Sequence, residues 1–351
     1  MKTKQVVLAV LLGFVIAAGI RWLRGPADTA PEETQAAAEA PTASGQSIEI
    51  TLYTSAPAEI GKIMNDAFTK ANPGISVNMY RSGTGSVMAR VFAEARSGQI
   101  VPDVLHVADP AVFEDLKQRG WLQPHEPPQF KRLVELGVAD PEGHYFVGRL
   151  LVPVLVWRAE TADPGVETWF DLTKIANDDL GVPDPMRYGT MLNLFFFTHE
   201  QVGDKAAQDF WLSLSNSGVR FGDWAVGLTG TITGERKYGV TLDDQAERLR
   251  QRESIEILYP NPTPVVNAPM GLIGKGKNDA AKLAASRKFI DFWLGKEAQQ
   301  ILVDNHLLSP RDDVTYPEGR TPLSEINLGK INAAEMFEKR EALVEWWDDN
   351  M

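Results

Sequence analysis

From residue 48 onward, apolar positions repeat first every two residues and then every three to four. Residues 48–54 alternate apolar and polar side chains and are rich in β-branched residues, which predicts a strand. Residues 58–71 carry apolar side chains on one helical face. The pattern continues with a strand at 75–79, a helix at 87–95, a strand at 103–107 and a helix at 109–120. This order predicts an α/β domain with parallel strands, whose strand-to-helix loops gather at the ligand-binding edge of the sheet.

A long apolar segment separates this region from a second one. Residues 145–157 contain Pro153, which disfavours a helix and predicts extended chain that crosses between two domains. Residues 263–275 are predicted to cross back, and residues 279–303 predict an amphipathic helix. Between the crossings, the pattern predicts helical stretches around 168–177, 190–198 and 205–217, and strands at 180–182, 237–241 and 255–259.

These segments predict a two-lobed protein. The first lobe is expected to comprise residues 47–153 and 265–325, the second lobe residues 154–264, and a C-terminal helical tail residues 326–351. Two domains also agree with the length of 351 residues, at roughly 100–200 residues per domain. Trp346 and Trp347 in the tail are expected either to form an exposed docking patch or to cover the first lobe.

The first 46 residues have the composition of an export signal followed by a linker. Two lysines precede an uncharged apolar run at 5–20, and small residues lie at its end, as in a secretory signal peptide. Two arginines directly after the run are also compatible with an uncleaved anchor, so residues 1–24 are predicted to be a signal peptide or a membrane anchor. Residues 25–46 predict a disordered linker. The protein is therefore expected to be periplasmic, either free or tethered to the inner membrane.

Composition and charge exclude several classes of function. The formal net charge of −12 repels phosphate backbones, which argues against nucleic-acid binding. Because the chain has no cysteine, disulfides, zinc–thiolate sites, iron–sulfur clusters and thiol nucleophiles are excluded. The five histidines lack metal-ligand spacing, and no nucleophile motif or nucleotide-binding loop occurs. We therefore expect no catalytic residue, no metal and no cofactor, and a binding protein rather than an enzyme.

Small polar loops at predicted helix starts offer an anion site without a metal, because they expose hydroxyls and backbone N–H groups. In one of them, Arg187 could grip a phosphate or carboxylate with two hydrogen bonds, or be a solvated surface arginine. Acidic residues at other helix starts could bind a ligand amine or hydroxyl. Helix capping is the alternative for all these loops, with Asp243 as the cap of a helix at 244–252. The candidate ligand-binding residues are Thr54, Ser55, Ser82, Gly83, Thr84, Gly85, Asp109, Arg187, Gly189, Thr190, Thr229, Thr231, Asp243 and Asp244.

A series of motifs in fixed order carries a family resemblance. They are ITLYTSAP at 50–57, SGTGS at 82–86, VPDVLHVADP at 101–110, VPDPMRYGT at 182–190, KYGVTLDDQA at 237–246, YPNPTPVVNAPMGLIGKGKN at 259–278 and AASRKFIDFWLGKEAQQIL at 284–302. Together they resemble the substrate-binding proteins of ABC importers with the type II periplasmic binding-protein fold, in the cluster that binds ferric ion, thiamine, phosphonates and sugar phosphates. The resemblance implies a monomer of two α/β lobes, each a mixed, mostly parallel sheet flanked by helices. It also implies crossing hinge strands, closure around a small solute and an ABC permease as partner.

The resemblance leaves the solute open. Ferric binders of this cluster use a tyrosine pair in the second lobe, commonly with a histidine and a carboxylate from the first. Here the corresponding stretch is 241–244, Thr-Leu-Asp-Asp, no two tyrosines are adjacent, and the loop at 54–56 has no histidine. We therefore expect a small anionic or zwitterionic solute, phosphonates or sugar phosphates before carboxylates. A ferric-ion-binding protein and a membrane-tethered solute sensor are the alternatives.

Overall fold

The computed structural model describes residues 47–351, in which thirteen strands and eleven α-helices form two α/β lobes. The strands are β1 (Ile48–Thr54), β2 (Ile75–Arg81), β3 (Val104–His106), β4 (Leu122–Gln123), β5 (Phe146–Leu151), β6 (Pro153–Arg158), β7 (Leu180–Pro183), β8 (Arg220–Gly222), β9 (Tyr238–Leu242), β10 (Ile255–Leu258), β11 (Thr263–Pro264), β12 (Val266–Ile273) and β13 (Leu328–Gly329). The helices are α1 (Ala58–Ala71), α2 (Thr84–Arg96), α3 (Pro110–Gln118), α4 (Phe130–Glu135), α5 (Gly189–Val202), α6 (Asp204–Asn216), α7 (Trp224–Thr233), α8 (Asp243–Glu253), α9 (Ala280–Leu294), α10 (Lys296–Asp304) and α11 (Ala333–Asn350), with 3-10 turns at Trp169–Ile175 and Leu323–Glu325.

Each lobe is built on one sheet. The first sheet has the order β2-β1-β3-β12-β4, and β5 also pairs with β12. Its β1 is parallel to β2 and β3, whereas β12 is antiparallel to β3, β4 and β5. The second sheet has the order β10-β6-β9-β7-β8, in which β7 is parallel to β8 and β9. These two mixed sheets flanked by helices confirm the predicted fold class.

The chain crosses between the lobes where β5 passes directly into β6. Only Val152 separates the two strands, so the same extended segment belongs to both sheets. Pro153 begins β6, a strand position where a missing backbone N–H is tolerated. Nearly every side chain from Phe146 to Trp157 is buried, because the segment has protein on both sides.

Buried apolar clusters stabilise each lobe. In the first lobe, Phe68 of α1 meets Phe289 of α9 edge to face, with ring centroids 5.0 Å apart. In the second lobe, all residues of α5 from Thr190 to His199 are buried, and its Phe195 lies 5.6 Å from the ring of Trp211 in α6. Because this stretch of α5 is buried on every side, the helix is enclosed by neighbouring elements.

Two sequence predictions about helical segments need correction. The amphipathic segment at 279–303 is not one helix, because Gly295 adopts an extended conformation and ends α9 before α10 begins. The tryptophans Trp346 and Trp347 do not form an exposed patch, and the helix that carries them lies against α3 of the first lobe as well as against the second lobe. Trp347 itself packs against Phe195, Trp211 and Phe221 of the second lobe.

No helix within residues 47–351 is long and apolar enough to cross a membrane. The predicted signal peptide or anchor at 1–24 and the predicted linker at 25–46 lie outside the described residues.

Candidate functional site

The two lobes touch where strand ends of the first lobe face those of the second. A Cβ atom added to Gly189, at the start of α5, would lie 2.3 Å from the backbone oxygen of Ala108 after β3. It would also lie 3.5 Å from Cβ of Thr84 in α2. Only glycine permits so close an approach, and the contact shows that the cleft between the lobes is closed at this point.

The predicted residues after β1 join two loops of the first lobe. The Thr54 hydroxyl accepts a hydrogen bond from the Ala56 backbone N–H (3.0 Å) and lies 3.3 Å from Nδ1 of His106. The Ser55 hydroxyl accepts one from the Ala108 backbone N–H (3.1 Å). Both side chains therefore fix the loop geometry beside the cleft.

The glycine-containing loop at 82–85 leads into α2, which begins at Thr84. Gly83 is its N-cap residue, and no side chain among the described residues caps this helix. Its first backbone N–H groups therefore remain able to donate to a ligand. Thr84 is buried, whereas Ser82 is half-buried and Gly85 is exposed.

Asp109 acts as a helix cap. One carboxylate oxygen accepts from the backbone N–H of Val112 (3.4 Å), and the other accepts from the guanidinium of Arg340 in α11. The carboxylate is fully buried. Since both of its oxygens have protein partners, Asp109 fits the capping alternative better than the ligand-binding one.

Arg187 lies on the protein surface. Its side chain is 66% exposed and lies 3.4 Å from Asp184, three residues earlier. Thr190, three residues later, is buried in the first turn of α5. The geometry of Arg187 therefore fits a solvated surface arginine and not a residue that grips an anion.

The prediction of a polar loop at 229–231 is wrong, because these residues belong to α7. Thr231 is buried, and its hydroxyl donates to the Gly227 carbonyl (2.8 Å). Thr229 is exposed on the helix surface. Threonine and glycine favour loops locally, yet Gly227 lets α7 approach the backbone of β9, and that packing overrides the propensity.

Asp243 is also not the predicted N-cap, since Leu242 holds that position and Asp243 begins α8. Its carboxylate is buried and accepts from Arg320 (2.5 Å), and Arg320 also lies 3.5 Å from Glu247. Burial raises the pKa of Asp243, although the guanidinium of Arg320 acts to lower it. Asp244, next along the helix, pairs with Arg248 (3.1 Å).

Arg149 is the residue that the sequence analysis missed. It lies in β5, is only 3% exposed, and its Nε has no hydrogen-bond partner among the described residues. Burial lowers its pKa to about 10, so the guanidinium stays charged at pH 7. The charges that act on that pKa come from both lobes: Asp244, Arg248 and Asp243 of α8, and Arg81 at the end of β2. Arg149 therefore lies between the lobes as a buried cation that pairs with no carboxylate of residues 47–351.

His106 lies beside this cation, at the end of β3. It is buried, its Nε2 has no partner among the described residues, and its ring is 4.8 Å from that of Trp293. Burial, and secondly the charge of Arg149, lower the pKa of His106 to about 3. The imidazole is therefore neutral in the folded protein at every pH near neutrality.

We expect His106 to make the protein less stable in mild acid. In the unfolded chain a histidine has a pKa of about 6.5. Below that pH the unfolded state therefore binds a proton that the folded state does not bind. Stability falls as the pH falls from about 6.5 towards 3, by about 1.4 kcal/mol per unit and hence about 2 kcal/mol at pH 5.

Urea unfolding of the wild type and of His106→Gln at pH 7 and pH 5 measures this effect. The difference between the two pH values should be smaller by about 2 kcal/mol in the variant. An equal pH dependence in both proteins would contradict a buried neutral His106.

The described residues contain no group of three or more histidine, aspartate or glutamate side chains placed to hold a metal ion. At 241–244, where ferric binders are expected to carry tyrosines, Asp243 is engaged by Arg320 and Thr241 is buried.

Comparisons with solved structures confirm the fold. The iron-bound HitA from Pseudomonas aeruginosa is 21% identical, with a TM-score of 0.75, and the match covers 87% of this chain and 100% of that one. The substrate-binding protein of an ABC transporter from Agrobacterium tumefaciens is 17% identical, with a TM-score of 0.74 and coverage of 88% and 96%. AfuA from Actinobacillus pleuropneumoniae, solved with fructose 6-phosphate, is 18% identical, with a TM-score of 0.72 and coverage of 86% and 98%.

The comparison with curated protein sequences gives no match. A protein-family model described as "Bacterial extracellular solute-binding protein" matches residues 99–324, which is more than half of the chain. The matched range includes β3, both lobe crossings and the whole second lobe. The chain therefore belongs to the family of bacterial extracellular solute-binding proteins.

Proposed function

We propose that this protein captures a small anionic or zwitterionic solute between its lobes and delivers it to the permease of an ABC importer. The observation that carries the proposal is the buried guanidinium of Arg149 at the lobe boundary, whose Nε has no hydrogen-bond partner among the described residues. Leaving a charge buried without a partner costs several kcal/mol, and an anionic solute would offset that cost.

The charges around Arg149 favour a particular class of anion. Three arginines (81, 149 and 248) and two aspartates (243 and 244) contribute to the potential there, and Asp243 is already paired with Arg320. A guanidinium forms two parallel hydrogen bonds with a phosphate, phosphonate or carboxylate. Asp244 adds a carboxylate that would accept from a hydroxyl or an amine. A sugar phosphate or a zwitterionic phosphonate has both an anionic group for Arg149 and a hydroxyl or amine for Asp244.

Ferric ion is the second candidate, since HitA is a structurally similar protein that was solved with iron. The residues here favour the anion instead. A hard trivalent cation needs several anionic oxygen ligands, whereas Arg149 places a fixed positive charge at the lobe boundary. The carboxylates of Asp109 and Asp243 are already engaged by Arg340 and Arg320.

Capture would proceed by hinge closure, without chemical conversion of the solute. The segment from β5 to β6 and the return through β11 and β12 connect the lobes, and Gly189 against Ala108 marks a closed arrangement. A solute that contacts both lobes binds the closed state more tightly and shifts the population towards it. A permease that recognises the closed form would then favour loaded protein over empty protein.

Native mass spectrometry of residues 47–351, purified without added solute, tests the proposal. A bound small molecule with a phosphate, phosphonate or carboxylate group is the expected result, and a bound ferric ion would overturn it. If the protein is empty, a thermal-shift screen follows with phosphonates, carboxylates and sugar phosphates, including the fructose 6-phosphate seen in AfuA. Failure of all of them to stabilise the protein would also overturn the proposal.

A further inference from the structure

The C-terminal helix α11 lies along the seam between the lobes. Met336, Arg340, Leu343 and Trp347 follow one another at intervals of three to four residues and so share one face of the helix. Met336, Leu343 and Trp347 are buried, in an apolar cluster that also includes Ala111 of α3 from the first lobe. One face of α11 therefore contacts both lobes.

The backbone of α11 lies closest to α3 of the first lobe, whereas its buried apolar side chains pack mostly on the second lobe. The ring of Trp347 lies 5.2 Å from Phe195, 5.6 Å from Trp211 and 5.6 Å from Phe221, each edge to face. At the start of the helix, the backbone N–H of Asn332 donates to Glu200 of α5 (3.1 Å). Aromatic burial of this extent is expected to keep α11 on the second lobe when the hinge moves.

In the part of the chain that the structure describes, the polar contact of α11 with the first lobe is a single ion pair. Arg340 donates to Asp109, whose carboxylate is fully buried at the start of α3. The Arg340 side chain is about one-third exposed, at 34%. If α11 moves with the second lobe, opening of the cleft separates Arg340 from Asp109 and leaves that carboxylate with only its backbone partner at Val112.

We propose that α11 is a latch that holds the closed state, and that the Arg340–Asp109 ion pair is its releasable contact. The ion pair exists only while the lobes are together, so it lowers the free energy of the closed state relative to the open one. The latch thereby sets how readily the empty protein opens, and it acts whatever the solute is.

The absence of cysteine from the chain permits a direct test in solution. Lys70→Cys in α1 and Asn216→Cys at the end of α6 place one exposed label on each lobe. Double electron–electron resonance on the solute-free, spin-labelled protein then reports closed and open populations. In the Arg340→Ala variant the ratio of open to closed protein should rise at least about tenfold, as expected for loss of a charge-assisted hydrogen bond.

Three further variants make the test specific. Arg340→Lys keeps the positive charge and should restore much of the closed population. Asp109→Asn keeps a capping oxygen but removes the negative charge, and should open the protein as Arg340→Ala does. Lys339→Ala, which removes only an exposed pair with Glu335 (2.8 Å) on the same helix, should match the parent.

The proposal is overturned if Arg340→Ala and Asp109→Asn both leave the distance distribution unchanged. It is equally overturned if Lys339→Ala opens the protein as much as Arg340→Ala, or if the parent has no closed population. Circular dichroism of each variant confirms that it is folded.

Discussion

Replacement of Arg149 by glutamine is expected to weaken binding of an anionic solute by at least about thirtyfold, because a buried charge-assisted contact contributes about 2–5 kcal/mol and each 1.4 kcal/mol is tenfold. Glutamine keeps hydrogen-bond donors at the position but removes the charge. Isothermal titration with the solute that co-purifies, or with a sugar phosphate as the probe, measures the change.

Two comparisons make the Arg149 experiment decisive. Arg187→Gln removes an arginine that is exposed and paired with Asp184, and it should change the affinity less than about threefold. Arg149→Met should leave the solute-free protein at least as stable as the wild type, because it removes an unpaired buried charge. If Arg149→Gln binds like the wild type while Arg187→Gln does not, the proposed anion contact is wrong.

Replacement of Arg320 by methionine is expected to have the largest effect on stability. The Arg320 guanidinium is fully buried and donates to Asp243, to the hydroxyl of Tyr259 (3.2 Å) and to the carbonyl of His306 (3.2 Å). Its removal takes the ion-pair partner from the buried carboxylate of Asp243 and leaves Glu247 with Arg250 at 3.7 Å. Breaking a buried pair in this way costs about 3–5 kcal/mol in the free energy of unfolding.

Urea unfolding measures the loss in the free energy of unfolding. Two further variants serve as comparisons for that loss. Arg132→Met removes a pair with Asp312 (2.6 Å) in which both side chains are more than half exposed, and should cost at most about 0.5 kcal/mol. The double variant Arg320→Met/Asp243→Leu removes both members of the buried pair and should regain part of the lost stability. A loss below about 1 kcal/mol in Arg320→Met alone would contradict a structural role for this pair.

Local sequence patterns predicted most elements because they depend on neighbouring residues. The strand at 48–54 and the helix at 58–71 have the predicted bounds, since period-two and helical spacing extend over their full lengths. The helical stretch predicted around 168–177 is a 3-10 helix at Trp169–Ile175, and α4, α7 and the short β4 and β8 were not predicted. The weakest patterns belong to these segments, where packing rather than periodicity determines the backbone.

The candidate site was only partly predictable. The loops at 54–55, 82–85 and 189–190 do lie where the lobes meet, because strand-to-helix loops gather at one sheet edge. Arg187 was the more prominent arginine in the sequence, since it stands in a polar loop. Arg149 stands in an apolar strand, and a lone arginine within a buried run is the signal that would have found it.

Hydrophobic periodicity and motif order are properties of the linear chain, and they were enough to predict the α/β class, the two lobes with their crossing segments and the family resemblance. The pairing of charged groups, in contrast, can be read only from the folded chain. Asp243 meets Arg320 across 77 residues, Asp109 meets Arg340 across 231, and Nε of Arg149 has no partner within residues 47–351. No local pattern encodes such pairings, since they depend on which side chains the packed lobes bring within hydrogen-bond distance in a region that excludes water.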